Sequence, residues 1–356
     1  MKCIDRLAGT LLTGLLPAPA AAPVPDAPAS LLLVRPGGIG DAVHLIAAVR
    51  AIRNKLPNAA IDILAEKRNA SIFALSGDVR RVRRYDIPSE FLSLFRESYD
   101  IVIDSEQWHR LSAVVSRLTR GRFLIGFDTN ERRRLFNFTV PYSHEDYEAD
   151  SFLRLLEPLG VTAEKRAALP WLTVPSGAAA RGAQLLEPFH GRRFVAMFPG
   201  ASIPERRWGA DRFRGVAEML AEAGIPTVVV GGAEDADDGE EIVGGLGGIN
   251  LAGKTSMPET AAVIDRCAVL VSGDSGILHV GVGLGRPTVS LFGPGIAAKW
   301  APTGEKHVVI DRRLSCSPCT RFGYTPRCAI GARCMTEISA EEVFSAAVLL
   351  INRKTP

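Results

Sequence analysis

From Leu31 onward, short apolar runs alternate with segments of helical periodicity, and this constrains the fold more than any other feature of the chain. Parallel strands need long crossover connections, so repeated strand-then-helix units specify an α/β protein: a parallel sheet covered by helices. The first series predicts strands at 31–35, 61–65, 99–103 and 122–127. Leu45, Val49, Ile52 and Leu56 recur at helical spacing before Pro57 ends the first helix. Periodicity weakens between about 170 and 193, around Pro175, Ser176, Gly177 and an alanine run, which is where a domain junction is expected. A second series follows, with strands at 194–198, 226–230, 250–251, 269–272, 288–292 and 307–311. Its helices are expected at 210–223, around Glu240, at 258–266 and at 276–284. Ser339-Ala-Glu-Glu342 has capping-box spacing and opens a last helix, 340–352, a candidate to cross back onto the first domain. The expected division is 1–30, an N-terminal amphipathic segment and linker; 31–175, a first domain; 190–338, a second domain with a cysteine-rich segment at 316–334; and 339–356, the final helix.

Length and composition fit this plan. A chain of 356 residues suits two domains of ordinary size. Hydrophobic residues make up 47%, charged residues 23%, and the formal charge is +3, values that describe a globular protein and exclude a nucleic-acid-coating one. Basic residues cluster at Arg80-Arg-Val-Arg-Arg84 and Arg132-Arg-Arg134. Each cluster is either a solvated face or a groove for an anionic acceptor or membrane surface. No stretch approaches the roughly 20 apolar residues that span a bilayer. Residues 1–30 imitate a secretory signal peptide, but Asp5 and Arg6 interrupt its start, and Gly9, Thr10, Thr13 and Gly14 dilute its apolar core. We read this segment as a short surface-seeking helix followed by a Pro/Ala linker.

Four motifs fall at the carboxyl ends of expected strands, where open α/β sheets bind ligands. Pro36-Gly-Gly-Ile-Gly-Asp41 joins a strand to a helix, where Gly38 and Gly40 permit close approach of backbone to ligand. Val43 stands where a dinucleotide fingerprint has its third glycine, although Glu66 loosely fits that fingerprint's ribose-binding acid. Asp41 at the helix start would repel a pyrophosphate; it suits a general base or a helix cap. Phe198-Pro-Gly-Ala-Ser-Ile-Pro-Glu-Arg-Arg-Trp208 offers Ser202 and Arg206 for a diphosphate, or is an exposed loop anchored by Trp208. Val230-Gly-Gly-Ala-Glu234 places Glu234 for sugar hydroxyls or for solvent. Ser272-Gly-Asp-Ser-Gly-Ile-Leu-His279 converges Asp274, Ser275 and Gly276 on a helix N-terminus, an anion site or a cap.

Together with Leu251-Ala-Gly-Lys-Thr255 and Leu291-Phe-Gly-Pro294, these segments resemble glycosyltransferase family nine, the ADP-heptose:lipopolysaccharide heptosyltransferases. The resemblance covers most of residues 31–345 and implies a GT-B fold, two Rossmann-like domains with parallel sheets facing across a cleft. It implies an inverting transfer of a sugar, heptose from ADP-heptose, to a lipopolysaccharide core or related cell-envelope glycan. Asp41 would then be the general base. Ser202 and Arg206 would hold the diphosphate, Glu234 the ribose, and Asp274, Ser275, Gly276 and His279 the donor sugar and phosphates; Lys254 would add positive charge, and Gly38 and Gly40 would line the acceptor side. Two departures stand out: Arg206 occupies a position where the family often has Lys, and Ala47 and Ala48 stand where a proline is frequent.

The implied partners are a nucleotide-sugar donor and a lipid-linked glycan acceptor, with peripheral attachment to the inner membrane from the cytoplasm and no nucleic acid. No acidic pair has metal-binding spacing, so no cofactor is expected. Cys316, Cys319, Cys328 and Cys334 form a compact thiol cluster whose first pair has a zinc-ligand spacing and whose second does not; reduced thiols or disulfides are expected ahead of zinc. Cys3 and Cys267 look unrelated to it, the latter a core residue. The rival functions are an NAD-dependent dehydrogenase and a non-catalytic nucleotide- or glycan-binding protein.

Overall fold

A computed structural model describes residues 5–162, 168–321 and 324–353. The chain divides into two compact units between Trp171 and Leu172. In the first, β1 (Ser30–Arg35), β2 (Ala60–Ala65), β3 (Arg81–Arg84), β4 (Tyr99–Asp104), β5 (Gly121–Phe127) and β6 (Phe138–Val140) form a parallel sheet in the order β3-β2-β1-β4-β5-β6. In the second, β7 (Val195–Phe198), β8 (Thr227–Val229), β9 (Ile249–Asn250), β10 (Val269–Gly273), β11 (Thr288–Phe292) and β12 (His307–Asp311) run β12-β11-β10-β7-β8-β9. Counted from the first strand of each unit, both are the Rossmann order 3-2-1-4-5-6. Central strands are apolar on both faces because helices cover both. Leu31, Leu32, Leu33 and Val34 of β1 are all buried, as are all five residues of β10.

The helices that position the sites are α1 (Thr10–Leu15), α2 (Ile39–Lys55), α3 (Arg110–Leu118), α4 (Ser176–Leu185), α5 (Ala210–Glu222), α6 (Met257–Ile264), α7 (Gly276–Gly283) and α8 (Ala340–Asn352). The division at Trp171–Leu172 falls within the stretch 170–193 where a junction was expected, and the rest of that stretch carries helix α4. This helix belongs to the second unit and packs on α6 so closely that a Cβ at Gly182 would stand 2.7 Å from that of Ala262. Its alanines and glycine, poor in period, are what let the two backbones approach. The last helix, α8, packs on α5 and on the β10–β12 side of its own sheet, with Val343, Ala347 and Leu350 in that core.

The Arg80–Arg84 cluster is not a vacant groove: Arg80 leads into β3, an edge strand, and the guanidiniums of the cluster pair with acids of the same unit, Arg83 buried and Arg80, Arg81 and Arg84 still partly exposed to solvent. Arg80 bonds Asp62 at 2.8 and 2.7 Å, Arg83 bonds Asp62 and the Tyr99 hydroxyl, both at 3.1 Å, and Arg84 pairs with Glu90. Burial alone would raise the Asp62 carboxyl, but hydrogen bonds from Arg80, Tyr99 and Arg83 outweigh it and hold the group below its ordinary value. Arg132, from the second cluster, is buried in an ion pair with Asp104 at 2.6 Å. Among the described residues, no helix is long and apolar enough to cross a membrane. Residues 1–4, with Cys3, lie outside the description.

Candidate active site

In each sheet the strand order reverses between the first and fourth strands, and the loops leaving these strands open there. In the first unit those loops follow β1 and β4; in the second they follow β7 and β10. The sequence motifs around Asp41, Arg206 and Asp274 lie at these points.

In the first unit, buried Arg35 ends β1 and organises the loop after it. Its guanidinium donates to the Ser105 carbonyl at 2.8 Å and to Glu106 Oε2 at 3.1 Å, and stands 3.8 Å from Asp41 Oδ2. Gly37 has φ 113°, which a side chain rarely adopts, and a Cβ there would press within 3.1 Å of the Arg35 guanidinium and 3.4 Å of Asp41 Oδ2. The loop is glycine-rich because the charged pair fills the space. Gly38 is the N-cap of α2 and contributes no side chain, Gly40 lies in the first turn, and Asp41 follows it with its carboxylate partly exposed. Asp41 therefore does not cap the helix.

The acids that surround this pair were not legible in the sequence, because they come from elements far along the chain, Glu106 from the loop after β4 and Glu148 from the start of a later helix, Glu148–Arg154. Burial would raise Glu106, but the hydrogen bond from His109 and the charges of Arg35, His109 and Arg132 hold it down at about 2. Buried Glu148 accepts from Gln107 Nε2 and, at 3.0 Å, from the Tyr142 hydroxyl. The only sequence signal was a cluster of acids and amides after a strand, Asp104-Ser-Glu-Gln107. Glu66, the dinucleotide-type acid, accepts instead from the Gly37 N–H at 3.2 Å and from Arg68 at 2.9 Å. It braces the glycine loop, and the dehydrogenase reading loses its ribose ligand.

In the second unit, Arg206 and Asp274 meet. Arg206 ends a short turn, Pro204–Arg206, and its guanidinium lies 2.9 Å from Asp274 Oδ2, with Asp274 buried at the end of β10. Ser275 is the N-cap of α7, accepting from the Leu278 N–H at 3.2 Å, so Gly276 opens the helix beside the pair. His279, one turn on, is buried. Desolvation, and then the Arg206 charge, push its imidazole down to about 4. Trp208 anchors the preceding loop, its indole N–H donating to the Ile338 carbonyl at 3.1 Å. Ser202 is exposed on the same loop. Glu234 and Lys254 are exposed on adjacent loops, since a Cβ at Gly253 would sit 2.9 Å from Ala233. The neighbouring acid Asp235 is structural: it is buried, accepts from the Gly232 N–H at 3.0 Å and pairs with Arg207.

The depressed His279 gives a test by linkage. Its unfolded form binds a proton near its ordinary 6.5 and the folded form only near 4, so more protons are bound on unfolding across that window. Stability is expected to fall as pH drops from 6.5 toward 4. Urea denaturation of a His279→Asn variant is expected to show a shallower fall than the parent, and an equal slope would contradict the burial of a neutral imidazole.

Cys316, Cys319, Cys328 and Cys334 are free thiols. Burial, and then the neighbouring thiols, raise Cys319 and Cys334. The Cys328 sulfur accepts from the Ala332 N–H at 3.2 Å, and the Cys319 N–H donates to the Pro294 carbonyl at 3.2 Å, which ties this segment to the loop after β11. Among the described residues, no three His, Cys, Asp or Glu side chains stand where they would hold a metal ion. Cys267 is buried in the core.

A family model described as glycosyltransferase family 9 (heptosyltransferase) matches residues 91–327, well over half of the chain. Lipooligosaccharide heptosyltransferase 2 of Haemophilus influenzae is 26% identical over 313 residues, covering 79% of this chain and 88% of that protein. Lipopolysaccharide heptosyltransferase 2 of Escherichia coli is 25% identical over 315 residues, covering 79% and 87%. Among solved structures, a family 9 glycosyl transferase from Veillonella parvula superposes with a TM-score of 0.77 at 22% identity, covering 90% of this chain and 97% of its own. The ADP-heptose lipopolysaccharide heptosyltransferase II of Escherichia coli gives 0.73 at 23%, covering 90% and 98%. The paired Rossmann-like units are thus those of the GT-B fold. The chain is a glycosyltransferase enzyme and belongs to glycosyltransferase family 9, the heptosyltransferases.

Proposed function

We propose that this enzyme transfers a heptose from ADP-heptose to a lipopolysaccharide core or related lipid-linked glycan at the cytoplasmic face of the inner membrane. The observation that carries the donor half is the Arg206–Asp274 pair at 2.9 Å beside the N-terminus of α7, at the switch point of the second sheet. A guanidinium and free helix N–H groups there suit a diphosphate. Ser202 adds a hydroxyl, Lys254 a charge, Glu234 an acceptor for ribose hydroxyls, and neutral His279 an uncharged contact to the donor. The acceptor sugar lies against the glycine loop at Gly38 and Gly40, its hydroxyl turned to Asp41.

The reaction is a single inverting displacement. Asp41 takes the hydroxyl proton as the acceptor oxygen bonds to the anomeric carbon, and the bond from that carbon to the diphosphate breaks with its electron pair leaving on ADP. Arg206 and the N–H groups at Ser275 and Gly276 meet the charge growing on the departing phosphate. No cofactor takes part in this scheme.

A thermal-shift screen of ADP-, UDP- and GDP-sugars tests the reading, since a bound donor stabilises the folded state. ADP-heptose is expected to raise Tm more than the other sugars, by about 2.7 kcal/mol of stability at a hundredfold excess over Kd. Turnover is expected to survive exhaustive dialysis against EDTA. Preference for a UDP- or GDP-sugar would reject the donor, and an EDTA loss restored by a divalent cation would reject the cofactor-free scheme.

A further inference from the structure

The N-terminal helical segment, Asp5 to Leu15, is folded onto the first unit inside out. Asp5, Gly9 and Thr13 recur at helical spacing and face the protein, whereas Leu7, Leu11 and Leu15, at the same spacing, are 76%, 62% and 71% exposed. Docking is polar and close. Asp5 Oδ1 accepts from the Leu111 N–H at 2.8 Å at the start of α3, and a Cβ at Gly9 would stand 2.9 Å from that of Arg110. Arg117 donates to the Pro17 carbonyl and Arg134 to the Gly14 carbonyl, each at 3.1 Å. A soluble helix turns its leucines inward; this one is held so that they point outward. Carbonyl oxygens do not cancel charge, so Arg117 and Arg134 keep theirs beside the stripe. Arg6 of the segment itself and Leu118 and Arg120, which follow Arg117 in the chain, are exposed.

We propose that this leucine stripe and its arginines form a docking surface for an anionic phospholipid bilayer. The apolar face enters the boundary between headgroups and acyl chains, and the guanidiniums pair with lipid phosphates. A second copy of the chain is a poorer occupant, because two such faces would bring their arginines together. The proposal deepens the membrane part of the function proposed above, but its test uses neither donor nor acceptor and so fails separately.

The test is flotation of the full-length protein with vesicles of phosphatidylcholine alone or mixed with phosphatidylglycerol. The protein is expected to float with the anionic vesicles and to be released by salt. The double substitution Leu11→Gln with Leu15→Gln is expected to weaken binding by about tenfold or more. Arg6→Gln with Arg120→Gln is expected to flatten the salt dependence. Both variants change exposed side chains, and unchanged thermal unfolding transitions will show that the fold is kept. Equal flotation of the parent and the leucine variant would overturn the proposal. So would a dimer in sedimentation that the leucine variant dissolves.

Discussion

Replacing Asp41 with Asn is expected to lower kcat by about 10²- to 10⁴-fold while leaving donor affinity within a few-fold. The amide is nearly isosteric with the carboxylate but cannot take the acceptor's proton. The substitution also removes one negative charge 3.8 Å from the Arg35 guanidinium. Arg35 keeps Glu106 at 3.1 Å and the Ser105 carbonyl at 2.8 Å, so the loop retains its ties and the loss falls on chemistry rather than on folding. Single-turnover kinetics with saturating donor, alongside calorimetric donor binding, separate the two effects. Collapse of donor affinity with turnover preserved would reassign Asp41.

The second large effect is expected at Arg206. Arg206→Ala removes the guanidinium that lies 2.9 Å from Asp274 and, in the proposed scheme, meets the charge on the leaving diphosphate. A fall of about 10²- to 10³-fold in kcat/KM is expected, the range for losing one aimed charge-stabilising donor. Arg206→Lys keeps the charge but gives up the planar fork, and is expected to recover part of the activity. If the lysine variant matches alanine, two-pronged geometry rather than charge is what the site uses. Wild-type kcat/KM in the alanine variant would remove Arg206 from the mechanism.

Much of the fold was legible because central parallel strands are continuous apolar runs. β1, β2, β4 and β5 were expected at 31–35, 61–65, 99–103 and 122–127, and each begins or ends within one residue of that reading. β3 was missed because an edge strand carrying Arg81, Arg83 and Arg84 reads as charge, and only the partners Asp62, Glu90 and Glu97 explain it. Helix α4 was missed because its face against α6 is built of glycine and alanine, which leave little period. The pairing of Arg206 with Asp274 was foreshadowed by their positions at the ends of expected strands, since strand ends converge at a switch point. Glu106, Tyr142 and Glu148 were not, because nothing local links residues so far apart in the chain. A short surface-seeking helix was expected at the N-terminus, but not which of its residues would face outward. Periodicity marks a helix face but does not say which face the protein will cover.

The proposed reaction moves heptose from ADP-heptose to a lipopolysaccharide-type acceptor, with Asp41 as the base. Its most direct test is mass-spectrometric and NMR analysis of the products formed from ADP-heptose and a lipopolysaccharide-core acceptor, with the Asp41→Asn variant in parallel. One heptose is expected to be added per acceptor with inverted anomeric configuration, one ADP released for each transfer, and both products nearly absent with the variant. Donor binding without any transfer, retention of the anomeric configuration, or undiminished transfer by the variant would contradict the proposed reaction.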